Sequence, residues 1–221
     1  MKGSSASIGA WLTLISQTIA ILDLLSLYTS GNATIVEASA TLVLPVVPNP
    51  LTGDVALWSA LRLDGDFIQG VSESAPLGLG YCANLGNNWC NIAYALTPDA
   101  ENGEAVVAAP GTRVRTQYKS NPATSMWDQS LYVNEQPVSN ISTSQGQKGN
   151  IFYISVECAA RPCAIIPAHS WEAISIILSA PNLKFGHFGS WKFGATGGNM
   201  TTADGGKTWT LSPLNVPVTV A

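Results

Sequence analysis

Short runs with the two-residue period of a β-strand recur along this chain between turn signals. The pattern is clearest over residues 57–71. Leu57, Ser59 and Leu61 alternate with Trp58, Ala60 and Arg62. Asp64-Gly65-Asp66 then supplies a tight turn, and Phe67-Ile68 re-enters a strand that carries Gln69. Residues 151–158 alternate as cleanly, with Phe152, Ile154 and Val156 on one side and Tyr153, Ser155 and Glu157 on the other. Residues 34–47 are β-branched and aliphatic, and Pro45, Pro48 and Pro50 end them. Further strands are predicted at residues 89–96, 105–109, 112–118, 129–133, 171–179, 185–193 and 209–220. A Gly-rich stretch, 72–88, and a polar one, 137–149, read as loops. Strand signals this closely spaced, with hardly any helical period after the N-terminus, predict an all-β antiparallel sandwich or barrel.

The N-terminus departs from that pattern. Lys2 precedes a mostly apolar run over residues 8–22, and small residues follow near 26–31. Residues 1–29 therefore read as a signal peptide or N-terminal hydrophobic segment, and residues 30–221 as one β-sandwich domain. Thr13, Gln17, Thr18 and the nearby Asp23 thin the run. An aspartate at mid-bilayer costs roughly 2.5–3.5 kcal/mol, so no stable membrane span is expected after processing.

Composition narrows the partners. The chain is 46% hydrophobic but only 11% charged, with a net charge of −4 and no basic cluster, which argues against nucleic acid. Four cysteines form two near pairs in sequence, Cys82 with Cys90 and Cys158 with Cys163. Three connectivities exist, and short loops favour the local one at about 2–3 kcal/mol each. Spacings of eight and five are poor for zinc, and His169 and His187 do not complete a ligand set, so no metal or cofactor is expected. Asn32, Asn140 and Asn199 each head an N-glycosylation acceptor triplet. With the cysteines and the leader, they agree on a secretory or extracellular location.

Several stretches together resemble one family. Residues 36–48, VEASATLVLPVVP, look like a first strand ending in proline. Trp58 with Asp64-Gly65-Asp66 is similar to W-x-G-I-D-G-D, and Phe67-Ile68-Gln69-Gly70-Val71 to L-Q-T-G-V. Ala168-His169-Ser170-Trp171 falls at A-E-W, and Phe188-Gly189-Ser190-Trp191-Lys192-Phe193 resembles F-G-S-x-x-F. These are motifs of the glutamic peptidases, or eqolisins, fungal acid proteases. The resemblance implies a concanavalin A-like sandwich of two bent antiparallel sheets with a concave cleft. It also implies a working pair: a glutamine amide that donates to the oxyanion and a glutamate that moves protons. Gln69 matches the glutamine. Ser170 stands where the resemblance places the glutamate, and a serine hydroxyl cannot replace a carboxylate at acid pH. The glutamate of W-Y-E-W-Y-P has no counterpart in the stretch around Tyr94 either.

Glu172 is the nearest substitute. On a strand, residues 170 and 172 share a face about 6.6 Å apart while Trp171 packs into the other. Gln69, Glu172 and Ser170 are therefore the candidate catalytic residues. Trp58, Asp64, Asp66, Tyr94, Trp171 and His169 are the candidate substrate contacts. Trp58 and Trp171 equally suit a core, Asp64-Gly65-Asp66 a plain turn, and His169 a structural role. Three functions are open. One is a repurposed enzyme that holds a small apolar molecule and promotes cyclisation or rearrangement by hydrogen bonding, as in fungal secondary metabolism. Another is an acid endopeptidase acting on peptides through Gln69 and Glu172. The last is a non-catalytic secreted binding protein.

Overall fold

The computed structural model describes residues 20–220. Strands follow one another as β1 (Ala20–Tyr28), β2 (Ile35–Val43), β3 (Asp54–Arg62), β4 (Phe67–Ser74), β5 (Trp89–Leu96) and β6 (Glu101–Asn102). Next come β7 (Val106–Ala108), β8 (Arg113–Ser120), β9 (Trp127–Val133), β10 (Gln136–Thr143), β11 (Ile151–Ala160) and β12 (His169–Leu178). Five short strands close the chain: β13 (Gly189–Trp191), β14 (Thr196–Gly197), β15 (Met200–Thr201), β16 (Thr208–Leu211) and β17 (Leu214–Val216). They build two antiparallel sheets. The eight-stranded sheet runs β13-β1-β11-β3-β4-β5-β6, with β7 beside β5. The nine-stranded sheet runs β10-β9-β8-β2-β12-β16-β15, with β17 beside β12 and β14 beside β17. The expected two-sheet sandwich is the architecture observed.

Alternation explains the layers. Leu57, Leu61, Ile68, Phe152, Ile154 and Val156 of the eight-stranded sheet meet Leu42, Val114, Leu131, Trp171, Ile174 and Ile176 of the other in one buried core. The opposite face of the eight-stranded sheet is apolar as well. Ala56, Trp58, Ala60, Val71 and Ile92 form a second cluster, against which Phe67, Tyr94, Ala105 and Tyr153 pack. Over β3 and β4 the sheet is thus apolar on both sides, and its outer face is a second hydrophobic surface with a groove in it.

Three expectations are corrected. The sequence sets residues 1–29 apart as a signal peptide or N-terminal hydrophobic segment, yet residues 20–28 are β1, a strand inside the eight-stranded sheet. It pairs with β11 on one side and β13 on the other, and Leu24, Leu25 and Leu27 are fully buried. The boundary at residue 30 cuts through the sandwich, and residues 1–19 lie outside the described residues. The polar stretch 137–149 contains β10, an edge strand paired to β9 alone, most of whose side chains face water while Ser139 and Thr143 turn inward. Residues 185–193 are a 3-10 turn, Phe185–His187, followed by the three-residue β13. Gly186 accounts for this tight passage, because a Cβ there would lie 2.8 Å from the ring of Trp209.

Both local disulfides form, Cys82–Cys90 and Cys158–Cys163, each with Cα atoms 5.7 Å apart. Asn32, Asn140 and Asn199 are all exposed. Among the described residues no helix is long and apolar enough to cross a membrane.

Polar side chains cross the sandwich behind β3, β4 and β5. Tyr118 of β8 is fully buried; its hydroxyl accepts from the backbone N–H of Gly70 at 2.8 Å and donates to the carbonyl of Ser59. The amide of Gln129 on β9 donates to the carbonyl of Gln69, and the hydroxyl of Ser139 accepts from the N–H of Ala93 at 3.2 Å. Thr116 fills the space above Gly70. A Cβ at Gly70 would sit 2.0 Å from Thr116 Oγ1 and 2.7 Å from its Cβ. Backbone polar groups of β3, β4 and β5 are thereby satisfied by the opposite sheet.

Gly70→Ala is expected to lower the unfolding free energy by roughly 1–3 kcal/mol, because neither β4 nor Thr116 can yield without breaking these bonds. Chemical denaturation measures it, and an unchanged midpoint contradicts the close approach.

Candidate functional site

β4 brings Gln69 to the outer face of the eight-stranded sheet, the face of Trp58, Ala60 and Val71. Its neighbours in register are Ala60 on β3 and Tyr94 on β5. Ala60 has no bulk to cover it, so the Gln69 amide looks into a groove of about 450 Å³. Ile21 and Asp23 of β1, Tyr153 and Glu157 of β11, Trp58 of β3, Phe67 of β4 and Leu96 of β5 line the rest of that groove. Gln69 is 6% exposed, and its side-chain amide has no hydrogen-bond partner among the described residues, although its backbone carbonyl is engaged by Gln129. What the side chain exposes faces the groove, where a ligand can hydrogen-bond to the amide in place of water.

Aromatic rings form the floor. Trp58 meets Phe67 edge-on with centroids 5.5 Å apart, and Phe67 lies 6.0 Å from Tyr153. Tyr94 packs against Tyr81 at 5.7 Å beside Gln69. The indole N–H of Trp58 donates to Glu157 Oε2 at 2.9 Å, which fixes both side chains. Burial pushes the Glu157 carboxyl above the ordinary glutamate range, and the Trp58 hydrogen bond opposes part of that rise. Asp23 accepts from the hydroxyl of Ser155 at 2.7 Å.

Carboxylates gather at one end of this face. Glu73, Ala56 and Glu157 stand in one row across β4, β3 and β11, with Asp54 further along β3. Glu73 is 3% exposed and accepts from the backbone N–H of Tyr81; burial raises its carboxyl to about 7. Asp54 is raised by burial too, and its Oδ1 is buried without a partner.

Gln69 and Glu157 do not form a compact pair. Gln69 lies opposite Ala60 and Glu157 opposite Ala56, so they are two strands and four residues apart. Sheet spacing puts their Cα atoms about 16 Å apart, with Trp58 between them. They address two ends of a ligand rather than one bond.

The other candidates lie elsewhere. Glu172 and Ser170 are on β12 in the nine-stranded sheet, and Glu172 is ion-paired with Arg113. Ser170 borders a separate depression with His169, Asn215, Val43, Pro45 and Val216. The structure therefore does not bring Glu172 or Ser170 to Gln69, because strand alternation gives the face of a residue but not the sheet that owns it. His169 is 8% exposed; burial lowers its pKa to about 4, and its Nδ1 sits 3.1 Å from the carbonyl of Pro167. Trp171 is a core residue of the sandwich. Asp64 caps the β3–β4 turn, accepting from Asn150 Nδ2 at 3.0 Å and from the N–H of Lys148 at 3.2 Å. The Asn150 bond leads in holding its carboxyl low. The N–H of Asp66 donates to Gln147 Oε1 at 3.0 Å, so the Asp-Gly-Asp turn is bolted to the segment before β11. Trp58 and Gln69 are the sequence candidates that line the groove, and Tyr94 adjoins it. Asp23, Phe67, Tyr153, Glu157 and Glu73 belong to this face and were not singled out by the sequence. The alternation of residues 151–158 did set Tyr153 and Glu157 on a common side.

No family model and no curated protein matches the chain. Solved structures do. Scytalido-glutamic peptidase with a peptide-based transition-state analogue is similar at 10% identity and a TM-score of 0.57, over 87% of this chain and 99% of that one. SCP-B, a member of the eqolisin family of peptidases in complex with the tripeptide Ala-Ile-His, is similar at 11% identity and a TM-score of 0.53, over 87% and 99%. At such identity the likeness is one of fold: the sandwich is of the eqolisin peptidase type.

Proposed function

We propose that the concave groove binds a small, mainly apolar organic molecule and promotes its rearrangement or cyclisation without hydrolysis. The unpartnered, nearly buried amide of Gln69 above an aromatic floor carries this reading. That amide would polarise a carbonyl of the ligand, while Trp58, Phe67 and Tyr153 shape its body. Glu157, clamped by the Trp58 indole and kept more easily protonated by burial, would give or take a proton at the far end. Separation of the two groups fits a molecule gripped at both ends better than a peptide bond attacked at one point. The two disulfides and the exposed asparagines of the three acceptor triplets fit a secreted glycoprotein.

Acid endopeptidase is the second reading, favoured by the peptidase-type fold. It would have to use Glu157 or a neighbouring acid, since Glu172 is on the other sheet. Mass spectrometry of small molecules retained on the purified protein separates the readings, together with cleavage of denatured protein at acid pH. Gln69→Ala is expected to lose the retained molecule at least about tenfold, and Glu172→Gln to behave as wild type. Cleavage at acid pH that Glu157→Gln abolishes would overturn the first reading in favour of the second.

The raised carboxyls also set a pH dependence. Glu73 keeps its proton to about pH 7 in the folded chain, whereas an unfolded glutamate loses it near pH 4.3. Folding is then favoured most below the unfolded value, and that contribution is lost as pH rises towards 7. Asp54 and Glu157 are raised in the same direction. His169, lowered to about 4 by burial, works the other way over the same range, so the test is the difference between proteins: from about pH 4 to about pH 7 the melting temperature of wild type is expected to fall relative to that of Glu73→Gln. A pH profile of Glu73→Gln that runs parallel to the wild type's contradicts the buried-acid assignment.

A further inference from the structure

We infer that the molecule taken up by the groove carries a protonated amine, held between Asp23 and Glu157 over the face of the aromatic cluster. This rests on the groove being the binding site proposed above, and it adds the charge and chemical class of the ligand. The charged side chains that line the groove are Asp23 and Glu157, both acids. Arg62, on the same strand as Trp58, is exposed at the strand end and does not line it. An anion would meet two carboxylates in the lining, with the nearest cation, Arg62, beyond Tyr153 outside it. A neutral apolar ligand would strip water from both acids and return nothing, which is the expensive way to bury a carboxylate.

Each acid is already oriented and still has capacity. Glu157 spends Oε2 on the Trp58 indole, and Asp23 spends Oδ1 on Ser155. The second oxygen of each has no hydrogen-bond partner among the described residues. Asp23 stands opposite Ser155, and Glu157 is two residues further along the same strand, so the two acids are diagonal neighbours on adjacent strands. Such neighbours are roughly 7–8 Å apart at Cα, a gap that an ammonium group can bridge. Trp58, Phe67 and Tyr153 lie alongside, and the negative faces of aromatic rings attract cations. At the other end, over nine-tenths buried and unpartnered, Gln69 offers an amide to a carbonyl or hydroxyl. The complementary molecule is an elongated aryl or alkyl amine with a hydrogen-bonding group remote from the nitrogen.

Two probes of nearly the same shape test this. Tryptamine is cationic at neutral pH, and tryptophol carries a hydroxyl in place of the ammonium. Titration calorimetry at neutral pH is expected to find tryptamine bound at least about tenfold more tightly. The double variant Asp23→Asn, Glu157→Gln should bring that ratio to about one, with thermal unfolding confirming that it is folded. Equal or tighter binding of tryptophol to the wild type overturns the amine inference and leaves the groove standing. Failure of both probes to bind at millimolar concentration overturns the groove reading and this inference with it. A preference for tryptamine that survives in the double variant also overturns the assignment, because the cation would then be read elsewhere.

Discussion

The phenolic hydroxyl of Tyr118 holds the structure's functional face in place from behind. It reaches through the core and bonds to the backbone of β3 and β4 at Ser59 and Gly70. Gln129 grips the adjoining carbonyl of Gln69, and Thr116 occupies the room that Gly70 leaves. An apolar core could bury as much surface without fixing where β4 lies. These bonds peg it, since buried backbone groups that lose them have no water to turn to. The backbone of Gln69 is thus set by side chains of the opposite sheet, and its own side chain is left free to face outward.

That arrangement explains why a surface of the sandwich can be apolar without being covered. Trp58, Val71 and Ile92 would be a liability on an open sheet. Here Phe67, Tyr94 and Tyr153 pack around them, and a half-open groove of about 450 Å³ remains. The acids Asp54, Glu73 and Glu157 sit at the rim of this cluster, where burial raises all three carboxyls. Low charge density over the chain makes this concentration of acids conspicuous.

Much of the sandwich was legible in the chain. The alternation at residues 57–71 and 151–158 gave β3, β4 and β11, the centre of the eight-stranded sheet, and short cysteine loops gave the disulfides. What escaped has physical causes. β1 has the composition of a leader because its leucines are buried on one sheet face while Asp23 and Ser26 serve the other, so an apolar run with a few polar residues fits both readings. β10 is an edge strand whose exposed residues look like a loop. Glu172 and Glu157 have the same local pattern, a carboxylate beside core residues, and only tertiary pairing puts β11 next to β3 and β12 next to β2. Gln69 was found because a lone amide inside an apolar strand requires an explanation, and that rule needs no knowledge of the partner strands.

The claim beneath all of this is that the outer face of the eight-stranded sheet, at Gln69 and Trp58, is where a ligand sits. Isotope-labelled protein titrated with indole, followed by nuclear magnetic resonance, tests it directly. The side-chain amide of Gln69 and the indole N–H of Trp58 should shift together and saturate together. Shifts centred on His169, Ser170 and Asn215 across the sandwich, with Gln69 unmoved, would contradict it.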